Sequence, residues 1–395
     1  MKIKIVAILV CMLVAIGSSF TVVTSTNCEK QISVTRGNID KQRGNTLITE
    51  YDNYGYGNRV IEVDNGGTII WEKSGLDLPE DAERLDNGNT LITIKAEDRV
   101  IEVDPSGTIV WEKSDLNYPS DVERLNNGNT LICETNNNRV IEVDPGGSIV
   151  WDKAGLYTPV DAERLDNGNT LIVEADFPRV IEVDSSGTIV WQNSQTDRPI
   201  DAERLENGNT LICDYFNDIV IEFDSSGNIV WQKNEAYPAD AERLSNGNTL
   251  ITDCIGCRVI EVDSTGAIVW QLSGLNLPCD AERICMTQLE IGDITGGFGV
   301  SSTIKNNGSC DAINVVWEIK FTNGFIFIPA GYSATGGPVN IQSLTDLPIS
   351  TRVLGVGGLL GILGLIEITV SASADNADYV EKKVSARVFL FFVII

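Results

Sequence analysis

The sequence predicts an all-β protein, a six-bladed β-propeller followed by a β-sandwich, and three observations carry this prediction. A tryptophan recurs every 40 residues from Trp71 to Trp231, and the last step, to Trp270, is one residue shorter. The motifs Asp-x-Glu-Arg and Asn-Thr-Leu-Ile each recur six times with it. After Ile284 the repeats stop, and the remaining residues form short apolar runs separated by Gly, Asn, Ser and Asp.

Each repeat of about 40 residues contains four short segments of strand character, which is the content of one propeller blade. In the clearest repeat the predicted strands are Asp161–Leu165, Thr170–Val173, Val180–Val183 and Thr188–Trp191. No repeat carries an apolar stripe with a period of 3.6 residues, so helical repeats of similar length are disfavoured.

Two turn signals recur in every repeat. The pair Asn167-Gly168 predicts a two-residue hairpin with both residues in the left-handed region. The sequence Asp184-Ser-Ser-Gly187 predicts a tight turn between the third and fourth strands. Both turns are expected at the same end of the ring.

The number of strands predicts how the ring closes. The first repeat starts at Asn45 and lacks an Asp-x-Glu-Arg strand, whereas the sixth such strand, Asp280–Ile284, is left over at the far end. We therefore expect Asp280–Ile284 to pair beside Asn45–Thr49 as the inner strand of the first blade, since this leaves no open sheet edge at the closure.

The N-terminus predicts export. Residues 1–26 contain Lys2 and Lys4, the apolar run Ile5–Ile16 and then small residues, as in a secretory signal peptide; an uncleaved anchor is the alternative. The predicted domains are the signal peptide at 1–26, the propeller at 27–286 and the sandwich at 287–395. An extracellular or cell-surface location follows. The formal net charge of −27 excludes nucleic acid as a partner and disfavours anionic membranes.

The C-terminal residues 287–395 read as about seven strands of an immunoglobulin-like β-sandwich. The segment Val300–Trp317 resembles the adhesion-associated sandwich modules of prokaryotic surface proteins. This resemblance implies a role in adhesion or recognition.

Three segments of the repeat resemble known propeller families. Pro159–Ile172 resembles the repeats of aryl-sulfotransferase-like propellers, Asp184–Trp191 resembles quinoprotein-type (PQQ-like) repeats, and Arg179–Asp184 is similar to NHL repeats. The resemblance implies the fold. It does not carry over the chemistry, because those sulfotransferases use a nucleophilic histidine, the NHL-like lyases use histidine-bound metal, and this sequence contains no histidine. Quinone cofactors are carried in eight-bladed rings, so no organic cofactor is expected.

A pair of cysteines, Cys254 and Cys257, lies in one blade loop. Without histidine or a second cysteine pair beside it, a local disulfide or two thiols are favoured over zinc.

The Asp-x-Glu-Arg strands are expected to place six aspartates around the propeller axis. One interpretation is a structural network that pairs neighbouring blades, because buried charges persist when they are paired. The alternative is a cation site, with calcium as the metal that carboxylate oxygens suit. The candidate ligands are Asp81, Asp121, Asp161, Asp201, Asp240 and Asp280.

The connections at the opposite end of the ring differ in every repeat, and variable loops on a rigid scaffold commonly carry binding residues. Aromatic and cationic residues concentrate there, and ordinary packing on the blade rims is the alternative interpretation. The candidate binding residues are Tyr51, Tyr54, Tyr56, Tyr118, Tyr157, Phe177, Arg198, Tyr215, Phe216 and Tyr237.

The sequence therefore favours a secreted or cell-surface recognition or adhesion protein, without catalysis, that binds a glycan, peptide or protein through the variable loops. Two alternatives stay open: a structural component of an extracellular assembly or surface layer, and a lyase or hydrolase that uses only carboxylates and a metal.

Overall fold

The computed structural model describes residues 33–36, 44–51, 58–284, 287, 289–296, 299–308, 312–322, 333–342, 345–352, 364–374, 377–389 and 392–394. The chain forms two compact units, one built on residues 45–284 and the other on residues 285–395. The expected signal peptide at 1–26 lies outside the described residues. Within the described part of the chain, no helix is both long and apolar enough to cross a bilayer.

The first unit is a six-bladed β-propeller in which every blade is an antiparallel sheet with at least four strands. In chain order its strands are β1 (Ser33–Arg36), β2 (Thr46–Glu50), β3 (Arg59–Val63), β4 (Ile69–Ser74), β5 (Pro79–Arg84), β6 (Thr90–Ile94), β7 (Arg99–Val103), β8 (Ile109–Lys113), β9 (Pro119–Arg124), β10 (Thr130–Glu134), β11 (Arg139–Val143), β12 (Ile149–Ala154), β13 (Pro159–Arg164), β14 (Thr170–Glu174), β15 (Arg179–Val183), β16 (Ile189–Asn193), β17 (Pro199–Arg204), β18 (Thr210–Asp214), β19 (Ile219–Phe223), β20 (Ile229–Asn234), β21 (Pro238–Arg243), β22 (Thr249–Asp253), β23 (Arg258–Val262), β24 (Ile268–Ser273) and β25 (Pro278–Arg283).

The ring closes as the repeat count predicts. Strand β25 pairs antiparallel with β2, with Thr46 opposite Arg283 and Thr49 opposite Asp280, so the first blade is β25-β2-β3-β4. The next five blades follow in chain order from β5 to β24. One feature was not predicted: β1 pairs with β24 and adds a fifth strand to the outer edge of the sixth blade. Both ends of the repeat region therefore contribute strands to the closure.

The cores of the propeller lie between neighbouring blades. The second strand of each blade is buried along its whole length, as in Thr170–Glu174, because both of its faces pack against other blades. Leu131 and Val140 of the third blade pack in one cluster with Ile172 and Ile181 of the fourth. At the closure, Ile48 and Ile61 of the first blade share a cluster with Leu250 and Val259 of the sixth.

The hairpin between the first and second strands differs from the prediction of a two-residue turn. The Gly168 amide donates to the Leu165 carbonyl at 2.8 Å and the Leu165 amide to the Asn169 carbonyl at 2.9 Å, so three residues form the loop. Only Gly168 has a positive φ, at 83°. Asn167 instead accepts the Asn169 amide at 2.8 Å through its side chain, which favours a type I turn followed by a left-handed glycine.

Four of the recurring tryptophans donate a hydrogen bond to the next blade, whereas the Trp270 Nε1 atom is buried without a hydrogen-bond partner among the described residues. The Trp151 indole is half-buried, and its Nε1 donates to the Ser185 carbonyl of the following blade at 3.0 Å. Trp71, Trp111 and Trp231 make the same contact, each at 3.0 Å. This geometry makes each of these indoles a wedge between two blades.

The second unit contains two antiparallel sheets that share one hydrophobic core. Its strands are β26 (Leu289–Ile291), β27 (Gly299–Asn306), β28 (Ala312–Thr322), β29 (Ser333–Ile341), β30 (Asp346–Arg352), β31 (Gly364–Ala374), β32 (Ala377–Phe389) and β33 (Phe392–Ile394). The sheet orders are β26-β27-β30 and β29-β28-β31-β32-β33, and the shared core makes the unit a β-sandwich. The immunoglobulin-like type of this sandwich stays a prediction.

Replacing Trp151 tests its contribution to the blade contact. Trp151→Ala should lower the free energy of unfolding of the propeller by about 2–4 kcal/mol, because it removes both the wedge and a hydrogen bond. Trp151→Phe keeps most of the apolar contact and should cost about 1 kcal/mol. Denaturant titration of the folded chain measures both values. Equal costs for the two variants would show that the hydrogen bond, and not the packing, carries the contact.

Candidate binding site at the propeller axis

The axis of the propeller is lined by the six inner strands β5, β9, β13, β17, β21 and β25. Their aspartates form a ring that separates two chambers. The upper chamber, of about 140 Å³, opens on the face of the variable loops, and the lower chamber, of about 340 Å³, is lined by the six glutamates of the motif. The residues of the ring are Asp81, Asp121, Asp161, Asp201, Asp240 and Asp280.

The aspartates are held by a continuous ring of hydrogen bonds between blades. The Asp121 Oδ2 atom accepts the Ala162 amide of the next inner strand at 3.1 Å, and the same contact occurs between all six pairs of blades, at 3.0–3.2 Å. At the closure the Ala82 amide donates to Asp280. An inner strand is a sheet edge with amides that lack a ladder partner, and the carboxylates supply the missing acceptors.

The glutamates repeat this arrangement one step further along the axis. Glu123 Oε2 accepts the Arg164 amide at 2.7 Å, and the six equivalent contacts span 2.7–2.9 Å. Twelve carboxyl groups therefore serve as acceptors for the main chain of the following blade.

The arginine of each motif points away from the axis. The Arg164 guanidinium pairs with Glu142 of the preceding blade, with 3.0 Å between Nη2 and Oε2, and lies 5.2 Å from the centre of the Trp151 ring. The other oxygen of Glu142 accepts from Asn129 at 2.6 Å. All six blades repeat the ion pair. A network between blades was expected, but the arginines pair with a different glutamate from the one in the motif.

The cation-site interpretation finds no support in this geometry. No group of three or more His, Cys, Asp or Glu residues within the described ranges is arranged to hold a metal ion. Each aspartate uses one oxygen to accept an amide of the next blade. Calcium binding by Asp81, Asp121, Asp161, Asp201, Asp240 and Asp280 therefore remains only a sequence-based prediction.

The two rings contain carboxyl groups with strongly raised pKa values. Burial raises the pKa of Asp121 to about 8 and that of Asp240 to about 7, against an ordinary value of 3.8. For Asp81 and Asp161, burial and then the charge of Asp121 raise the pKa well above its ordinary value. Burial also raises the pKa of Glu242 to about 8. The rings therefore hold protons at neutral pH and become more negative as the pH rises.

Three of the predicted binding residues line the upper chamber: Tyr51, Arg198 and Tyr215. Sequence reasoning missed other parts of its wall, including Glu80 and Lys95, which form an ion pair at 2.5 Å. The signal for this pair was a departure from the repeat. The second blade has Ile94-Lys95 where the third and fourth blades have Glu134-Thr135 and Glu174-Ala175. Ser120 and the thiols of Cys254 and Cys279 also belong to the missed part of the wall.

Five of the predicted residues form an aromatic patch beside the mouth of the chamber: Tyr157, Phe177, Tyr215, Phe216 and Tyr237. The Tyr215 ring lies 5.1 Å from that of Tyr237 and 5.8 Å from that of Phe216, and Tyr157 and Phe177 are 5.4 Å apart. Arg198 links the two groups, because it lies 5.4 Å from the Phe216 ring while its Nη1 contacts Asp176 at 3.4 Å.

Of the remaining predicted residues, Tyr118 contacts Lys95 of the chamber wall. Tyr118 is half-buried, and its ring lies 5.3 Å from the Lys95 ammonium. Tyr54 and Tyr56 lie outside the described residues.

Buried carboxylates hold the variable loops in place. Glu174, fully buried, accepts the Tyr157 amide at 2.6 Å, and Asp214 accepts the Arg198 amide at 3.0 Å. The exposed Asp218 holds a loop in the same way, because it accepts the amide of Tyr237, which has a φ of 50°. The aromatic patch is therefore carried on loops with a defined backbone conformation.

The two cysteines of the blade loop differ from both predicted states. Cys257 is disulfide-bonded, whereas Cys254 keeps its thiol, so they form neither a local disulfide nor a pair of thiols.

Comparison with known families identifies the repeat type. Residues 136–310 match the PQQ-type repeat family model described as outer membrane protein assembly factor BamB. This match covers less than half of the chain. No curated protein matches the chain.

Comparison with solved structures supports the propeller fold. A protein of unknown function from Bacteroides caccae superposes with a TM-score of 0.53 and 17% identity, over 60% of this chain and 98% of that one. A streptogramin B lyase gives a TM-score of 0.47 with 12% identity, over 70% and 96%. A catalytically inactive virginiamycin B lyase from Staphylococcus aureus, solved with quinupristin, gives 0.46 with 14% identity, over 69% and 96%. At 17% identity the likeness to the Bacteroides caccae protein shows the fold alone.

The raised pKa values predict how stability depends on pH. The folded propeller retains protons on Asp121 and Asp240 up to pH 7–8, whereas the unfolded chain releases them near pH 4. The contribution of these groups to the free energy of unfolding is therefore largest below about pH 4, and it is lost as the pH rises from 4 to 8. We expect the free energy of unfolding to be lower at pH 8 than at pH 5 by about 2 kcal/mol or more. Tryptophan fluorescence during denaturant titration reports this, and a value that rises with pH would contradict it.

Substituting Asp161 separates its charge from its role as an acceptor. Asp161→Asn keeps an oxygen for the Ala202 amide and removes a buried charge, so it should raise stability at pH 8 and change it little at pH 5. Asp161→Ala removes the acceptor and should cost about 1–3 kcal/mol at both pH values. The same titration measures both variants. An asparagine variant less stable than the wild type at pH 8 would contradict the assignment.

Proposed function

We propose that this chain is a secreted or cell-surface recognition protein without catalytic activity, and that it binds a peptide segment of a protein partner through the variable-loop face of the propeller. In this proposal an exposed chain segment lies across the aromatic patch and inserts one lysine or arginine side chain into the upper chamber. The observation that carries the proposal is that an acidic chamber opens directly beside the patch.

The charge of the chamber favours a cationic side chain. Its two positive groups are already paired, Lys95 with Glu80 and Arg198 with Asp176, so the excess charge comes from the aspartates of the ring and grows as they lose their protons above neutral pH. Tyr51 and Tyr215 in the wall add aromatic faces, which attract cations. The volume of about 140 Å³ fits the end of a side chain better than a drug-sized molecule.

The patch supplies the area that the chamber lacks. Tyr157, Phe177 and Phe216 are 51–55% exposed although they are large and apolar. Exposed aromatic residues on fixed loops are typical anchors of protein interfaces, because they bury much area at a low entropic cost.

The absence of catalysis in this proposal rests on the residues of the site. The axial carboxyl groups already accept hydrogen bonds from the main chain, and the sequence has no histidine for the nucleophilic or metal-binding chemistry of the propellers that its repeats resemble. The extracellular location rests on the signal-like N-terminus and the strongly acidic composition.

An array of short peptides tests the proposal with the purified chain. Peptides with a central Lys or Arg between apolar residues should be retained, and the same peptides with Glu at the centre should not. Affinity should rise from pH 6 to pH 8.5 as the aspartates lose their protons, and it should fall with added salt. A matched glycan array runs in parallel. Retention of glycans alone, or hydrolysis of a probe, would contradict the proposal, as would self-assembly without retention of any peptide.

Two variants locate the binding surface. Phe216→Ala should lower the affinity for the retained peptide at least about tenfold, because it removes an anchor of the patch. The control is Tyr379→Ala, which removes an aromatic residue of similar exposure in the β-sandwich and should leave binding unchanged. Loss of binding in the control variant, or none in Phe216→Ala, would place the site elsewhere.

A further inference from the structure

The outer edge of the sixth blade shows how this propeller accepts an added strand. Strand β1 pairs antiparallel with β24, with Arg36 opposite Trp270 and Ser33 opposite Ser273. At this edge Trp270 is 1% exposed and Val269 is half-buried. The corresponding valines of blades two to five, Val110, Val150, Val190 and Val230, are 52–54% exposed. The outer strand that pairs with an added strand therefore exposes less apolar surface than the outer strands of the other blades.

The other five outer strands, β4, β8, β12, β16 and β20, end their sheets without a neighbour among the described strands. Four of them carry a lysine two residues after the tryptophan: Lys73, Lys113, Lys153 and Lys233. In β4 the Lys73 Nζ also donates to the Gly107 carbonyl of the next blade at 3.0 Å. Lysine on an open edge strand hinders the addition of another strand.

Strand β16 departs from this pattern. Its sequence is Ile189-Val-Trp-Gln-Asn193, so it carries no charged residue at all. Asn193 replaces the lysine and is only 5% exposed, and Gln195 takes over the contact to the next blade, with its Nε2 donating to the Gly227 carbonyl at 2.9 Å. Ile189 and Val190 stay 39% and 53% exposed. Of the five open edges, β16 alone carries no charged residue.

We propose that the edge of β16 binds an extended segment of a partner protein by antiparallel strand addition, in the way that β24 accepts β1. The segment that fits contains β-branched residues and carries net positive charge, as the sequence Ser33-Val-Thr-Arg36 does. The formal charge of −27 on the chain attracts such a segment and opposes pairing with a second copy. This edge lies on the rim of the propeller and is separate from the axial chamber.

A labelled peptide with the sequence of residues 31–38, capped at both ends, is the probe. It should bind the full chain at one site, measured by fluorescence anisotropy, and should slow hydrogen exchange of the β16 amides. The same peptide with Val34→Pro is the control, because proline removes an amide needed for strand pairing, and it should bind at least tenfold more weakly.

Exchanging residues between blades provides matched variants. Gln192→Glu with Asn193→Lys gives β16 the edge sequence of the second blade, and it should lower the affinity for the probe at least tenfold. Glu112→Gln with Lys113→Asn gives β8 the edge of the fourth blade and should raise the stoichiometry from one site to two. Melting curves show whether both variants fold. We expect that they do, because each exchanged sequence already occurs at the same position in another blade.

Three results would overturn the proposal: no binding of the probe, equal binding to the Gln192→Glu/Asn193→Lys variant, or binding without protection of the β16 amides. Dimerisation of the chain alone, lost in that variant, would also overturn it in favour of pairing between two copies.

Discussion

The structure depends on one constraint. Every inner strand of a propeller is a sheet edge, so some of its main-chain amides have no carbonyl acceptor on a neighbouring strand. In this protein the acceptors are carboxylates of the preceding blade, with Asp121 receiving the Ala162 amide and Glu123 the Arg164 amide. The pattern continues across the closure through Asp280 and Ala82. Repetition of Asp-x-Glu-Arg is thus explained by hydrogen bonding between blades, and the same contacts fix the spacing of the ring.

This solution gathers twelve carboxyl groups around a narrow axis, which has an electrostatic cost. Burial and mutual repulsion raise the pKa values of the aspartates, so the ring is partly protonated at neutral pH. The same acids form the floor of the upper chamber, where they meet variable loops held by Glu174 and Asp214. A scaffold device therefore creates the acidic surroundings that a cationic side chain would favour.

Much of the fold could be predicted from the sequence, because its determinants are local and repeated six times. The four strands of each blade and the pairing of β25 with β2 follow from periodicity and counting. The prediction of a two-residue hairpin was wrong, since Asn167 caps the turn with its side chain instead of adopting the left-handed conformation. The added strand β1 was missed because Ser33–Arg36 contains no repeat motif. In the candidate site, Tyr51, Arg198 and Tyr215 were found as loop residues, whereas Lys95 and Glu80 were missed because their pairing depends on a single departure from the repeat.

The central claim is that the axial carboxyl groups accept hydrogen bonds from the next blade and that their surroundings keep them protonated up to neutral pH. Carbon-13 NMR titration of the aspartate side chains tests this claim most directly. The turn aspartates Asp104, Asp184, Asp224 and Asp263 provide an internal reference, because hydrogen bonds from their own turns lower their pKa values. The account predicts two separate groups of signals, one that titrates below pH 4 and one, containing Asp121 and Asp240, with midpoints at about pH 7–8. A single group in which every aspartate titrates below pH 5 would contradict it.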